Sequence, residues 1–299
     1  MKVGVKHRAV RLLGHQHWIT RGRNRVVRWL CDPETVEAVP FEVDFFGFRY
    51  PGSLDHFIDW NVFFYGAYST SELMLLRDAA VALKRSGCEV NFYDVGANVG
   101  QHSLFMSALA DRIFSFEPFE AVRTKLDEKI KLNEITNITI FPVALGDTDA
   151  DLEYHEPAGT NMATGSFAKA PYNFSGKVTK LPVRHGDTFV AQNARRPMTL
   201  LKLDVEGYEA RVIRGLDKTL REDRPVILME MSEETRKSFG TEDSFRKQLY
   251  ENHAVFEVAA KSISGSYRLK PFDFQSSGEL CVIPAENAEV LRELSAAAS

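Results

Sequence analysis

Cysteine is scarce and poorly placed for cross-linking. Only Cys31, Cys88 and Cys281 occur, an odd number set far apart. That excludes a disulfide framework, and no pair has zinc-site spacing, so the expected setting is reducing and cytoplasmic. Long uncharged apolar runs are missing too, which argues against a membrane span. The first residues hold no apolar core of the signal-peptide kind. Internal repeats and low-complexity linkers are absent. Glycine and proline are ordinary at 19 and 12, which excludes collagen-like and mucin-like chains. What remains is the composition of a soluble folded protein: 299 residues, 44% hydrophobic and 26% charged. That length admits one large domain or two modest ones and buries a substantial core.

Acidic residues are missing from one stretch only. Residues 1–30 carry eight Lys or Arg and no acid, although the whole chain has a formal charge of -4. The rest therefore holds 29 basic and 41 acidic side chains, a net of -12. An acidic body argues against nucleic acid as the main partner, because phosphate contacts need clustered cations. The basic leader suits peripheral contact with an anionic lipid surface or glycan. The favoured expectation is plainer: an arm or helix whose Trp18, Ile19, Val26, Val27, Trp29 and Leu30 dock on the body or help subunits pack.

The pattern divides the chain into a basic arm (1–40), a small α+β lead-in (41–90) and a larger α/β unit (91–290). In the lead-in, Gly47 and Pro51-Gly52 suggest a strand pair. Ser69 and Glu72 have capping-box spacing. Leu73, Leu76, Ala80 and Leu83 then share one helical face that Gly87 would end. From residue 91, strands alternate with helices: NFYDVG (91–96), IFSFEP (113–118), ITIFPVALG (138–146), TLLKLDVEG (199–207) and PVILMEM (225–231). VFEVAA (255–260) and ELCVIP (279–284) would close the sheet as an antiparallel edge. Such alternation implies a mostly parallel sheet covered on both faces. Residues 148–198 interrupt the rhythm, with two extra strands and a polar loop expected over the site.

Chemistry first shows at Asp94-Val95-Gly96-Ala97-Asn98-Val99-Gly100, where the first strand of this unit meets its helix. Ligands of open α/β sheets bind beyond the carboxyl ends of the strands. Glu117 ends the next strand, about 20 residues on, the distance at which an acid accepts ribose hydroxyls. A dinucleotide fingerprint needs a middle glycine, and Asn98 stands there. Asp94 would repel a pyrophosphate and attract an ammonium or sulfonium. These charges favour S-adenosylmethionine over NAD.

The ordered set DVGANVG, FEP, Leu132-Asn133, VALGD, LLKLDVEGYE and RPVILME resembles the FkbM family of S-adenosylmethionine-dependent methyltransferases, over roughly residues 60–231. The resemblance implies a class I methyltransferase (Rossmann-like) sandwich and O-methylation of a sugar or natural-product hydroxyl. It implies cofactor contacts from Asp94, Gly96, Ala97, Asn98, Gly100, Glu117, Pro118, Ala144, Asp147 and Asp204. Asn161 and Ser166 resemble a family N-x-G-x-x-S element whose glycine is Ala163 here, and they are read as acceptor contacts with Tyr68, His185 and Glu230.

Methyl transfer to a hydroxyl needs alignment and removal of a proton. Asp204, at a strand tip, is the first candidate base. Glu206 shares that place, and His102 follows the Gly-rich turn. Glu209 is read mainly as a helix-start acid, and His155 as a further base candidate. No metal site is expected. The expected function is transfer of a methyl group to a saccharide or glycosylated natural product; an NAD-dependent sugar oxidoreductase and a non-catalytic cofactor-binding module are the alternatives.

Overall fold

A computed structural model describes residues 3–16, 22–159, 164–168, 170–171, 173–260 and 265–297. Two helices come first, α1 (Val5–Gly14) and α2 (Arg23–Leu30). A hairpin of β1 (Pro40–Phe45) and β2 (Phe48–Ser53) follows, turning at Phe46 and Gly47 with positive φ. Then come α3 (Phe57–Tyr65) and α4 (Thr70–Arg85). Leu73, Leu76, Ala80 and Leu83 are buried on one face of α4, as their spacing requires. The capping box is not formed: Ser69 makes no side-chain cap, and Glu72 turns inward instead.

The α/β unit runs through β3 (Asn91–Val95), α5 (Gln101–Met106), β4 (Arg112–Phe116), α6 (Glu120–Leu132) and β5 (Ile138–Phe141). The expected third strand is in fact two. Pro142 lacks the N–H that would continue the ladder, and β6 (Ala144–Gly146) joins a separate small sheet with β7 (Ala150–Pro157) and β8 (Phe174–His185). These last two are the extra strands expected in the insertion. The chain continues through α7 (Gly186–Asn193), β9 (Leu200–Leu203), α8 (Glu209–Gly215), α9 (Asp217–Asp223) and β10 (Val226–Met231). It ends with α10 (Glu233–Phe239), α11 (Glu242–Gln248), β11 (His253–Ala260), β12 (Tyr267–Pro271), β13 (Gly278–Pro284) and α12 (Ala288–Ala297).

Among the described residues the main sheet has the order β12-β11-β13-β10-β9-β3-β4-β5. From β10 to β5 every pairing is parallel; β13, β11 and β12 pair antiparallel. The antiparallel margin is thus present, but β13 inserts between β10 and β11, and β12 is an outer strand the sequence pattern did not signal. The lead-in is welded to one face: Trp60, Leu73, Leu76 and Phe45 share a core with Phe92, Leu200 and Leu228. Tyr93, Leu201, Ile213 and Ile227 lie in the core on the other face. Neighbouring residues along a strand thus enter opposite cores, the period-two signature of a doubly covered sheet.

Register sets the site. Val95 lies beside Phe116 of β4 and Leu203 of β9, so the three strands finish level. The chain leaves β3 for β4 on one side and later returns as β9 on the other. Ligands sit at such a reversal of strand order.

Candidate functional site

Two connected cavities lie where these strands end, and Gly96, Asn98, Asp204 and Glu206 line both. The first encloses about 550 Å³. Its walls are largely apolar or aromatic, with Phe116, Val122, Leu145, Tyr154, Phe167 and Tyr208, and Glu117 is also in its lining. The second encloses about 690 Å³ and is lined by Glu72, Asp204, Glu206, Glu230 and Glu279, with Lys202, His102 and Tyr68.

Backbone strain forms the junction. Asn98 and Glu206 both take φ +52°, a left-handed conformation unusual for residues with a Cβ. Each is held by several bonds. The Asn98 amide donates to Glu117 Oε2 at 2.9 Å, and its own Oδ1 accepts the Val99 amide at 2.8 Å. On the other side Glu209 Oε1 accepts the Val205 and Gly207 amides at 2.9 and 3.3 Å. Ser166 Oγ donates to the Glu206 carbonyl at 2.7 Å. Gly96 is the contact between the turns: a Cβ there would lie 1.8 Å from the Asp204 carbonyl oxygen.

Charge is unevenly settled. Glu117 Oε1 also accepts the Phe119 amide at 2.8 Å. Burial pushes this carboxyl up to about 7, against the pull of those amides. Asp204 Oδ2 accepts Lys202 Nζ at 3.0 Å. Burial opposes ionisation of Asp204, but the Lys202 ammonium outweighs it and holds the carboxyl below its usual range. Burial likewise opposes the charge on Lys202, while Asp204, Asp94 and Glu72 overcome it and raise its pKa. Burial first, then the Asp204 charge, lifts Glu206 to about 9 and Glu230 to about 8. Glu279 lies directly opposite Glu230 across the β10–β13 ladder, and burial with the nearby acids raises it well above the carboxylate range.

The sequence-predicted residues divide cleanly. Gly96, Asn98, Glu117, Pro118, Ala144 and Asp204 line the first cavity; Ala97, Tyr68, His102, Glu206 and Glu230 line the second or both. His102 Nε2 lies 3.3 Å from Glu72 Oε2. Asp94 is fully buried beside the turn rather than in either lining, with Ser103 Oγ donating to Oδ2 at 2.5 Å and Oδ1 unpartnered. Four of the expected contacts lie outside both linings. Gly100 touches neither cavity; a Cβ there would meet Leu126 at 2.2 Å, so it serves helix packing. Asp147 is held by Arg211 and Arg214, both at 3.0 Å, and clamps β6 to α8. Ser166 braces the Glu206 turn and lines neither cavity. His185 starts α7, its amide bonded to Asp149, away from both linings. His155 likewise lies outside the linings, against the Ser166 carbonyl. Asn161 and Ala163 lie outside the described residues. Glu209, read as a helix-start acid, lies buried at the start of α8 and accepts the amides of the preceding loop.

Sequence reasoning missed Glu72, Lys202, Glu279 and Gln101. Lys202 alone of these left a local signal, a charged side chain among the apolar residues of LLKL in β9. Gln101 left none; its side chain pairs with both the amide and the carbonyl of Tyr68, at 2.7 and 2.8 Å, and fixes that ring's backbone.

Residues 94–258 match the family model for the methyltransferase FkbM domain. The chain belongs to the FkbM methyltransferase family. Its cofactor is accordingly S-adenosylmethionine, and the class I methyltransferase sandwich is its fold. Solved structures with a similar fold include the FkbM methyltransferase of Methylobacillus flagellatus KT, at 15% identity and TM-score 0.43, over 68% of this chain and 47% of that one. The present chain thus spans about half the length of that protein. The SAM-dependent methyltransferase of Agrobacterium tumefaciens matches at 11% identity and TM-score 0.46, over 84% and 72%. A Streptococcus mutans protein in complex with SAH matches at 12% identity and TM-score 0.36, over 64% and 86%. No curated protein sequence matches the chain.

The site of this FkbM methyltransferase suits that cofactor. The first cavity is an apolar slot with Glu117 in its wall, a lining that suits adenosine, and among the described residues no Lys or Arg lines it to receive a diphosphate. One oxygen of the buried Asp94, beside the turn, has no partner, and positive charge nearby would stabilise it. The family match sets aside the alternative of an NAD-dependent sugar oxidoreductase. Among the described residues no cluster of His, Cys, Asp and Glu has metal-binding geometry, and no helix is long and apolar enough to cross a membrane.

Proposed function

We propose that this chain methylates a hydroxyl group of a saccharide or glycosylated natural product in the cytoplasm. The observation that carries the reading is Asp204. It stands at the junction of the two cavities, ionised below its usual range, with Oδ2 on Lys202 and Oδ1 without a hydrogen bond among the described residues. Glu117 would hold the ribose, and Gly96, Ala97 and Asn98 the methionine end. S-adenosylmethionine, when bound, supplies an electrophilic methyl group. Asp204 Oδ1 would orient the acceptor hydroxyl and accept its proton as the methyl group passes from sulfur to that oxygen, the C–S bond breaking as the C–O bond forms. Lys202 keeps that carboxylate ionised and fixes its direction. Glu206 and Glu230, protonated near neutral pH, donate and accept hydrogen bonds as a polyhydroxylated acceptor requires. Residues 91–290 form the transfer unit on this reading, and Tyr68 and Glu72 of the lead-in complete its acceptor side.

Asp204→Asn tests the role. It keeps the size and a hydrogen-bond acceptor but removes the base. Single-turnover rates with labelled cofactor and a panel of glycans should fall about 10²–10⁴-fold, with cofactor affinity by calorimetry nearly unchanged. An Asp204→Asn enzyme of full rate would remove the base assignment; methylation of amines alone across the panel would remove the hydroxyl acceptor.

A further inference from the structure

The acid-free leader docks on the body with only some of its apolar residues. Val27 is buried and Leu30 partly so, but Trp29 is 80% exposed and Val26 is 42% exposed. Trp18 and Ile19 lie outside the described residues. On α1, Val5 (85% exposed), Ala9 and Leu12 (68% exposed) recur at i, i+4 and i+7 and face solvent together. These are anchored helices, not loose ones. A Cβ on Gly14 would lie 2.1 Å from the Phe64 carbonyl oxygen, so α1 lies close against α3. Arg11 Nε donates to the Phe63 carbonyl at 2.9 Å. Arg23 is buried with its guanidinium over the Tyr65 ring. Around the exposed apolar stripes stand Lys6, Arg8, Arg25 and Arg28, all exposed and none paired with an acid among the described residues. A groove beside α1 is lined by Arg8 and Arg11 over Phe41, Val43 and Phe63, and the one acid there, Glu42, is taken up by Arg49.

We infer that α1 and α2 form a docking face for an anionic lipid bilayer. An exposed Trp, Leu and Val set among lysine and arginine is the composition of a helix lying in a membrane interface. The charge separation is the second support: a basic face on an otherwise acidic body orients the protein toward an anionic surface. A soluble polyanion would use the cations but leaves the exposed Trp29 and Leu12 without a purpose. The face belongs to the same helical layer as α3, and the turn following α3 carries Tyr68 into the acceptor cavity.

The test is co-sedimentation of the full chain with vesicles of phosphatidylcholine alone and of phosphatidylcholine with phosphatidylglycerol. Binding is expected only to the anionic vesicles and should weaken as salt rises. Arg25→Glu and Arg28→Glu should each lower the partition coefficient by about fivefold or more. Leu12→Ala with Trp29→Ala should also lower it several-fold while thermal stability and cofactor affinity stay unchanged, since both side chains are exposed. Failure to bind anionic vesicles, or equal binding to neutral ones, would overturn the proposal. Full vesicle affinity in the Leu12/Trp29 variant would reassign the face to a soluble polyanion. A dimer in sedimentation velocity that Trp29→Ala dissolves, without vesicle binding, would reassign it to a second copy.

Discussion

The two halves of the crevice share four lining residues and are otherwise opposites. The first half, the adenosine side on the proposed reading, is aromatic, with three carboxyls in its lining, two of them shared; the acceptor half is crowded with five carboxyls, one lysine and one histidine. In the first, burial of ring surface provides affinity. In the second, burial raises the free energy of ions, so the acids divide. Asp204 stays charged against Lys202, while Glu206, Glu230 and Glu279 hold protons. One strand edge thus supports a nonpolar slot and an electrostatically tense chamber about a shared strained junction. On the proposed reading, a cationic cofactor reaching across that junction would relieve the tension on the acidic side.

The strongest way to break this picture is Gly96→Ala. The added methyl would strike backbone, not a flexible side chain, and φ there is +85°. A loss of at least about 1–3 kcal/mol of stability is expected from backbone strain alone, with cofactor binding abolished; denaturant unfolding and calorimetry would measure both. A stable, cofactor-binding alanine variant would show that the two turns are not locked together.

Next in size is a pH effect confined to the acidic half. Glu206 and Glu230 titrate near 9 and 8 in the folded chain, against an ordinary 4.5. The folded state therefore binds more protons than the unfolded one, and stability falls as pH rises from about 4.5 through these values. Thermal melts of the ligand-free protein should decline across that window. Glu206→Gln should flatten the decline and raise the melting temperature at pH 9. Binding of S-adenosylmethionine should release more protons than binding of S-adenosylhomocysteine, which lacks the sulfonium charge, as titrations in buffers of different ionisation enthalpy would record.

A smaller effect should separate the halves functionally. Gln101→Ala frees the Tyr68 backbone without touching the adenosine half, so acceptor KM should rise a few-fold and cofactor Kd should stay constant. The smallest belongs to Asp147→Asn. Its arginine partners are substantially exposed, and such pairs contribute about 0–1 kcal/mol. Unchanged cofactor affinity is expected; a marked loss would return Asp147 to the adenine edge.

Much of the adenosine half was legible because it is local. Gly96, Asn98, Glu117 and Pro118 sit at strand ends that periodicity reveals, and their spacing from one another carries the chemistry. Asp147 and Gly100, cofactor contacts on the family resemblance, sit against partners distant in sequence, Arg211, Arg214 and Leu126. The acceptor half was poorly legible for the same reason. Glu72 comes from a lead-in helix, Lys202 from a central strand and Glu279 from a strand near the end of the chain. No local pattern links them.

What the amino-acid order determined by itself is the alternation of strand and helix, the doubly covered sheet, the turn that takes Gly96 and the acids that punctuate strand ends. These follow from side-chain periodicity and backbone freedom, which act over a few residues. The tertiary structure alone decided which carboxyls share one chamber, which keep their protons and which cations are left facing solvent. Those depend on dielectric and charge at distances of a few ångströms between segments far apart in the chain, a relation that no reading along the chain contains.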